Sequence, residues 1–434
     1  MTGRRPRPGP DVAVTDAVGP AIIRLAREES GRVLALLAAR FDDVDLADDC
    51  VQDALLLAAE TWPSRGVPDN PAAWLFTVSR NRVIDQLRRR AAARRRLAAA
   101  APDLIPDDRP SAGSPLIVDD NELGDDRLRL LLLCCHPALN RDAQVALTLR
   151  LVGGLTTAEI AAAFLVPEKT LAQRIVRAKR KIRDARIPLT IPADIDGRVG
   201  VLLGVLYLIF NEGYLARGAA PALVRVDLAD EAIRLSEQLI ELVPNDGEAH
   251  GLLALELFHR ARFDARTDAT GELIVLADQD RNAWDTTTID RARDVLRVGV
   301  GLPGVGVYRI QALIAALHAG APSSADTDWS AIVGLYRILE RIDPGPVVAL
   351  NRAIAVSMVE GPARGLVEVD AIEGLAAYHL WHAARAEMLA RAGHVAPADA
   401  AFRRAAELTD NPAERRHLER RRLRAGGTAD RAGE

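Results

Sequence analysis

The sequence lacks three features that define common classes of protein. Its 434 residues include only three cysteines, too few for a disulfide framework, and the adjacent pair Cys134 and Cys135 would bridge only with strain. A reducing cytoplasm is therefore the expected compartment. The longest apolar run, Val199 to Phe210, is too short to cross a bilayer, so we expect no membrane partner. The basic, proline-rich start has no apolar segment after it, which predicts that residues 1–17 are a disordered arm and not a signal peptide.

Aromatic residues and net charge are also scarce. Aromatics make up 4% of the chain and the formal net charge is −4. Any affinity for nucleic acid must therefore come from local clusters of charge and not from a global field. Ala, Leu, Arg and Glu dominate the composition, which predicts an all-α protein, and the length predicts two or three domains.

The clearest motif is LTTAEIAAAFLVPEKTLAQRIVRAKRKI, from Leu155 to Ile182. Thr156 and Glu159 form a capping box, which predicts a helix from about Thr157. Pro167 interrupts this helix, because proline lacks an amide donor, so a second helix is expected to begin at or just after it. Two short helices joined by a tight turn are typical of a helix-turn-helix.

The second helix has two distinct faces. Four apolar residues recur at i, i+4, i+7 and i+11, whereas the other side is polar and rich in Lys and Arg. A solvated surface helix is one explanation of such a basic run. The capping box, the turn proline and the one-sided charge together favour binding to a polyanion. The apolar residues are Leu171, Ile175, Ala178 and Ile182.

Two further helical patterns precede this motif. DLADDCVQDALLLAAETW carries acidic residues at helical spacing on one side, typical of a solvated face or of a face that docks a protein. A proline-rich loop follows, and then PAAWLFTVSRNRVIDQLRRRAAARRR predicts a second basic helix. Trp74 at its start is either a core residue or a platform for stacked bases. Residues 97–124 are acidic and proline-rich, which predicts a flexible linker.

Five features follow one another in the chain: the acidic helix, the loop, the basic helix, the acidic linker and the helix-turn-helix. In this order they resemble regions 2 and 4 of an extracytoplasmic-function (group 4) RNA polymerase sigma factor. The resemblance implies sigma region 2 at 18–96 and sigma region 4 at 125–185. It also implies core RNA polymerase and promoter DNA as partners, with no cofactor and no enzymatic activity. The sequence departs from the family pattern where Val166 and Pro167 leave the recognition helix without a side-chain cap, and where Ala172 replaces a basic residue.

The resemblance assigns roles to three sets of residues. Those expected to read the −35 promoter element are Glu168, Lys169, Thr170, Gln173, Arg174, Arg177 and Lys181. Those expected at the −10 element, where the duplex opens, are Ser64, Asn70, Arg80, Asn81, Asp85 and Arg88. Those expected to bind polymerase are Asp45, Asp48, Asp49, Gln52 and Asp53.

Residues 186–425 are helical in pattern as well, followed by a predicted disordered tail at 426–434. Pro244, Pro344 and Pro412 recur at spacings close to multiples of a 34-residue period, which favours a tetratricopeptide-like (TPR-like) repeat domain that binds a protein or peptide ligand. The chain resembles the subgroup of these sigma factors that carries such a domain, which implies a modulating role. The alternative is a DNA-binding regulator on a repeat scaffold that never joins polymerase.

Two other clusters of residues are explained by structure and not by a metal or catalytic site. Cys134, Cys135 and His136 have no second ligand pair at a metal-site spacing, which favours a buried helix and predicts no metal. The acids of ADQDRNAWD lack a histidine partner or a phosphate-binding loop, so turn-forming residues explain them better than catalytic ones.

Overall fold

The computed structural model describes residues 10–100, 120–164, 166–190, 195–214, 226–268, 272–409 and 411–430. Within these ranges the chain is helical, with no named strand and one isolated bridge between Thr267 and Leu273. The predicted all-α fold is therefore confirmed. Residues 1–9 of the predicted arm, 101–119 of the predicted linker and 431–434 of the predicted tail lie outside the described residues.

The chain divides into two compact units, and the main boundary between them lies between Val205 and Leu206. The helices that start in the first unit are α1 (Pro10–Glu28), α2 (Ser30–Phe41), α3 (Val44–Arg65), α4 (Pro71–Ala100), α5 (Asp120–Cys134), α6 (Arg141–Leu147), a π-helical turn (Thr148–Val152), α7 (Thr157–Ala163), α8 (Glu168–Asp184) and α9 (Ile195–Tyr214). Helix α1 begins inside the range predicted as an arm, and α4 ends and α5 begins inside the range predicted as a linker.

Helix α2 is the centre of the first unit. It packs against α3 and α4 and also against α5 and the π-helical turn, so it joins the two segments expected to be sigma regions 2 and 4. Leu34 and Leu37 of α2 are buried, as are Leu46 of α3 and Leu131 of α5. Burial of one such side chain is worth roughly 1.5–3 kcal/mol.

Two glycines allow the backbone to approach closely in this unit. A Cβ at Gly31 of α2 would lie 2.5 Å from the carbonyl oxygen of Val152. Gly154, just after the π-helical turn, has a φ of +69°, and a Cβ there would lie 2.0 Å from the carbonyl oxygen of Ala26. Only glycine satisfies both the positive φ and the lack of space at position 154.

The second unit is a stack of helices that contact mainly their neighbours in chain order. Such nearest-neighbour packing is the pattern of helical-repeat folds. Its helices are α10 (Val226–Leu242), α11 (Gly247–Arg260), α12 (Thr286–Gly301), α13 (Val307–Gly320), α14 (Trp329–Ile342), α15 (Pro346–Val359), α16 (Pro362–Asp370), α17 (His379–Arg391), α18 (Val395–Leu408) and α19 (Pro412–Asp430). No helix in the described part of the chain combines the length and apolar content needed to span a membrane.

Ion pairs fix both ends of this stack. Arg309 of α13 is 6% exposed, and its guanidinium lies 3.1 Å from the carboxylate of Glu248 on α11 and also donates to the carbonyl oxygens of Gly299 and Leu302. At the other end, Arg416 and Arg420 of α19 both pair with Glu272 in the segment after α11. The last helix is thereby tied to the beginning of the unit.

We predict that Gly154→Ala destabilises the first unit by more than about 2 kcal/mol, because the new Cβ meets a backbone carbonyl and the residue must keep a positive φ. Gly66→Ala is the matched control: Gly66 also has a positive φ of +82°, but nothing lies within 4 Å of its Cβ position. Strain alone predicts about 1 kcal/mol there. Thermal unfolding of the full chain measures both effects, and equal losses would contradict the proposed close approach.

Candidate nucleic-acid interface

Helix α7 begins with the predicted capping box. The amide of Thr156 donates to Glu159 Oε2 at 2.7 Å, and the amide of Glu159 donates to Thr156 Oγ1 at 3.1 Å. Glu159 also pairs with Arg27 of α1 at 3.3 Å. Burial alone would raise the pKa of Glu159, but the bonds from Thr156 and Arg27 lower it overall. The cap is therefore ionised and fixes the start of the hairpin.

Helix α8 has the two faces that its sequence predicts. The four apolar residues of the predicted stripe are buried, with exposed fractions of 7% or less, whereas Val176 on another side of the helix is 63% exposed. The buried residues are Leu171, Ile175, Ala178 and Ile182. The helix begins at Glu168 after Pro167, which makes no side-chain cap bond, as the sequence departure indicates. One face is thus fixed in the core, and the opposite face remains available for a ligand.

Most residues expected to read DNA lie on that free face. Glu168, Lys169, Thr170 and Gln173 are exposed and lie in the first two turns of α8. Three other expected residues have partners within the first unit. Arg174 lies 3.2 Å from Asp142 of α6, Arg177 donates to the carbonyl oxygen of Gln173, and Lys181 donates to that of Ala138.

The C-terminal half of α8 contacts the acidic helix α3. Lys179 Nζ pairs with Asp48 and lies 3.9 Å from Asp45 Oδ1, and Arg183 Nη1 lies 2.7 Å from Asp45 Oδ2. The side chains of Lys179 and Asp48 are only 13% and 7% exposed. Sequence reasoning missed these pairs, because no local pattern connects residues that are 131 and 138 positions apart.

The residues expected at the −10 element lie on α4 and on the loop before it, except Ser64. Ser64 lies in the last turn of α3, which continues to Arg65 into the segment predicted as a loop. Five of the six are exposed and Arg80 is half-buried. Several make local bonds: Asn70 caps α4 by accepting from the amide of Ala73, and Ser64 donates to the carbonyl oxygen of Thr61. Trp74 is half-buried and packs edge-on against the buried Trp62, with ring centroids 5.2 Å apart.

The residues on the acidic face of α3 differ in their exposure and in their partners. Asp45 and Asp48 face α8, whereas Asp49 is exposed, and Gln52 and Asp53 are half-buried. Asp53 also pairs with Arg82 of α4 at 3.0 Å. Desolvation, together with the neighbouring carboxylates, raises the pKa of Asp49 despite the nearby Lys179.

Leu56, which the sequence reasoning did not include, is 63% exposed on α3. It lies seven positions after Asp49 and four after Gln52, so it belongs to the same side of the helix. That spacing was a signal that would have identified it. An exposed leucine beside carboxylates is suited to a partner that presents both apolar and cationic groups.

The alternative sites have structural explanations. All three cysteines are free and buried, and burial raises the pKa of Cys50 to about 11 and that of Cys135 to about 12, so their thiols are protonated at neutral pH. No group of residues suited to hold a metal ion is present among the described residues. Asp280 and Asp285 of ADQDRNAWD accept bonds from backbone amides at helix starts, which confirms that these two acids form turns.

Three family models match successive parts of the chain. Residues 25–93 match Sigma-70 region 2, residues 129–182 match Sigma-70, region 4, and residues 198–299 match a family of unknown function (DUF6596). No solved structure matches the chain. The fold and these matches define a two-module helical protein with a helix-turn-helix in its second module, followed by a further helical unit.

Two relatives that are matched over most of their own length narrow this class. The chain is 31% identical over 165 residues to the ECF RNA polymerase sigma factor SigL of Mycobacterium tuberculosis (strain ATCC 25618 / H37Rv), over 38% of the chain and 88% of that relative. It is 29% identical over 178 residues to SigC of Mycobacterium tuberculosis (strain CDC 1551 / Oshkosh), over 41% of the chain and 85% of that relative. The chain belongs to the ECF RNA polymerase sigma factor family.

A longer similarity covers both units. An uncharacterized protein of Rhizobium meliloti (strain 1021) is 42% identical over 400 residues, which covers 89% of the chain and 93% of that relative. The similarity to this relative therefore extends over both the sigma regions and the C-terminal helical unit of the chain.

Proposed function

We propose that the chain binds core RNA polymerase, reads the −35 and −10 elements of promoter DNA and promotes melting, while its C-terminal unit modulates this activity. The observation that carries the proposal is the division of α8 into a buried apolar face and an exposed, largely polar face, directly after a capped first helix. A helix of this form enters the major groove with its N-terminal residues toward the base edges.

The −35 element is assigned to α8. Gln173 and Thr170 suit base edges, and the cations suit phosphates, whose neutralisation supplies most of the affinity. Arg174 is also on this face, and its carboxylate partner Asp142 is 65% exposed, so the pair can exchange for a phosphate. The proposed contact set is Glu168, Lys169, Thr170, Gln173, Arg174, Arg177 and Lys181.

The −10 element is assigned to α4, the loop before it and the last turn of α3. Opening a duplex requires a cationic surface for the strand and groups that accept an unstacked base. Arg80 and Arg88 supply charge, and half-buried Trp74 supplies an aromatic face near the loop. The proposed set is Ser64, Asn70, Arg80, Asn81, Asp85 and Arg88.

Polymerase binding is assigned to the acidic face of α3. Asp45, Asp48, Asp49, Gln52 and Asp53 remain the proposed polar contacts, and Leu56 adds an exposed apolar contact among them. A buried apolar anchor surrounded by polar groups is the usual arrangement at the centre of a stable interface.

The C-terminal unit is proposed to act as a TPR-like scaffold for a protein or peptide ligand. Its nearest-neighbour helix stacking supports this proposal, as does a cleft of about 670 Å³ formed by α14, α15 and α16. Arg352 and Arg364 line the cleft beside Glu340 and Glu368, with exposed Val367 at its edge. These charges and this apolar group are suited to an extended peptide.

The first prediction concerns polymerase. Leu56→Ala is expected to weaken binding of the full chain to core RNA polymerase about tenfold, the loss of roughly 1.4 kcal/mol that a central apolar contact contributes. Ile23→Ala on α1 is the control, because Ile23 is similarly exposed, at 57%, but lies outside the acidic face. Fluorescence titration of labelled chain measures both affinities. If neither variant differs from the parent, the α3 face is not the docking surface, and if the parent does not bind core polymerase, the alternative of a DNA-binding regulator replaces this proposal.

The second prediction separates base reading from phosphate contact. Gln173→Ala, assayed in complex with core polymerase, is expected to reduce discrimination between matched and mismatched −35 duplexes by about 1–3 kcal/mol. Lys181→Ala is expected to weaken binding to both duplexes equally and to lower the slope of log K against log salt by about 1. Identical behaviour of the two variants would remove the base-reading role from Gln173.

A further inference from the structure

The contact between α10 and α11 in the second unit contains a carboxyl group that is entirely buried. Glu256 of α11 is 0% exposed, and neither of its carboxyl oxygens has a hydrogen-bond partner among the described residues. Ser236 of α10 is 1% exposed, and its hydroxyl also lacks a partner within the described part of the chain. A buried carboxylate without a partner is costly, so the neutral, protonated form of Glu256 is favoured.

Both residues interrupt apolar faces at this contact. On α10, Ser236 lies between Ala232 and Leu239, which are fully buried and fall on the same side of the helix. On α11, Glu256 lies one turn after Leu252, which is also fully buried. Apolar side chains at these two positions would continue the core, so hydrophobic packing does not explain the polar pair.

The charged groups near this contact do not compensate a negative charge on Glu256. Glu237 of α10 carries the same charge, and its own partner is Arg291 of α12. Arg309 of α13 pairs with Glu248, which lies two turns before Glu256 on α11. The other ion pairs of α10 are those of Glu231 with Arg234 and of Asp230 with Arg260. Each of these cations therefore has a carboxylate partner other than Glu256.

The proton on Glu256 couples the contact to pH. Burial raises the pKa of Glu256 from its ordinary value of 4.5 to about 8, with an opposing effect of Ser236 and a further rise from Glu237. The carboxyl is therefore protonated in the closed contact at neutral pH but ionised wherever the contact is open. Between these two pKa values each added pH unit favours the open form about tenfold, and above about pH 8 the effect is constant because both forms are ionised.

Helix α10 depends on this contact for its place in the second unit. Among the described helices it packs mainly against α11. The ion pairs Asp230–Arg260 and Glu237–Arg291 at its edges are partly exposed, and such pairs contribute little to stability.

We propose that Glu256 is a proton-binding site that controls the α10–α11 contact: the protonated carboxyl keeps α10 in the stack, and loss of the proton releases α10. The inference goes beyond the proposed function, since it requires neither polymerase nor DNA.

Hydrogen exchange of the α10 backbone, followed by mass spectrometry on the full chain from about pH 5.5 to about pH 9, tests the proposal. After correction for the intrinsic pH dependence of exchange, we expect the opening constant of α10 to rise about tenfold per pH unit and to level off above about pH 8. Glu256→Gln keeps the shape of the side chain but cannot ionise, so we expect no rise. Glu241→Gln is the matched control, because Glu241 is an exposed carboxylate on α10, and this variant keeps the rise. A constant opening in the parent chain, or an equal rise in Glu256→Gln, would overturn the proposal.

A second variant keeps the test conclusive if the glutamine variant does not fold. Glu256→Met introduces an apolar side chain of similar length, and replacing a buried ionisable group in this way is often neutral or stabilising. At about pH 8 we expect the opening constant of α10 in this variant to be at least tenfold below that of the parent chain. Circular dichroism verifies that each variant is folded. Opening at the parent's rate or faster in folded Glu256→Met would show that the carboxyl does not control the contact.

Discussion

The structure of the first unit depends on the burial of one apolar face of α8. Leu171, Ile175, Ala178 and Ile182 place the helix in the core, and their burial leaves the polar side in water. At roughly 1.5–3 kcal/mol for a buried aliphatic side chain, this face fixes α8 far more firmly than exposed ion pairs, each worth about 0–1 kcal/mol. The exposed charged residues of α8 can consequently change partners without loss of the fold, whereas the Lys179–Asp48 pair is largely buried.

The acidic face of the helix α3 is only partly occupied by contacts within the chain. In the structure, Asp45 and Asp48 pair with Lys179 and Arg183 of the same chain. Asp49 and Leu56 stay exposed on the same helix. The exposed residues are therefore open to a second protein, whereas the paired ones already have partners within the chain. Specificity at a charged surface comes from charge complementarity more than from area.

The features that the sequence predicts correctly depend on residues that are close together in the chain. The capping box at Thr156, the break at Pro167 and the spacing of the apolar residues on α8 all act within one or two turns, and each prediction is confirmed by the structure. The pairing of Lys179 with Asp48 was not predictable, because it joins residues 131 positions apart and leaves no periodic signal. The ion pairs of Glu272 with Arg416 and Arg420 could not be predicted from the sequence for the same reason.

The central claim is that this chain directs polymerase to promoters. The most direct measurement of this activity is transcription in vitro with purified core polymerase and the full chain. The promoter template is taken from DNA that the chain binds in cells, identified by chromatin mapping. We expect a run-off transcript of defined length that depends on the chain and on both promoter elements. Absence of that transcript with active core polymerase would contradict the account.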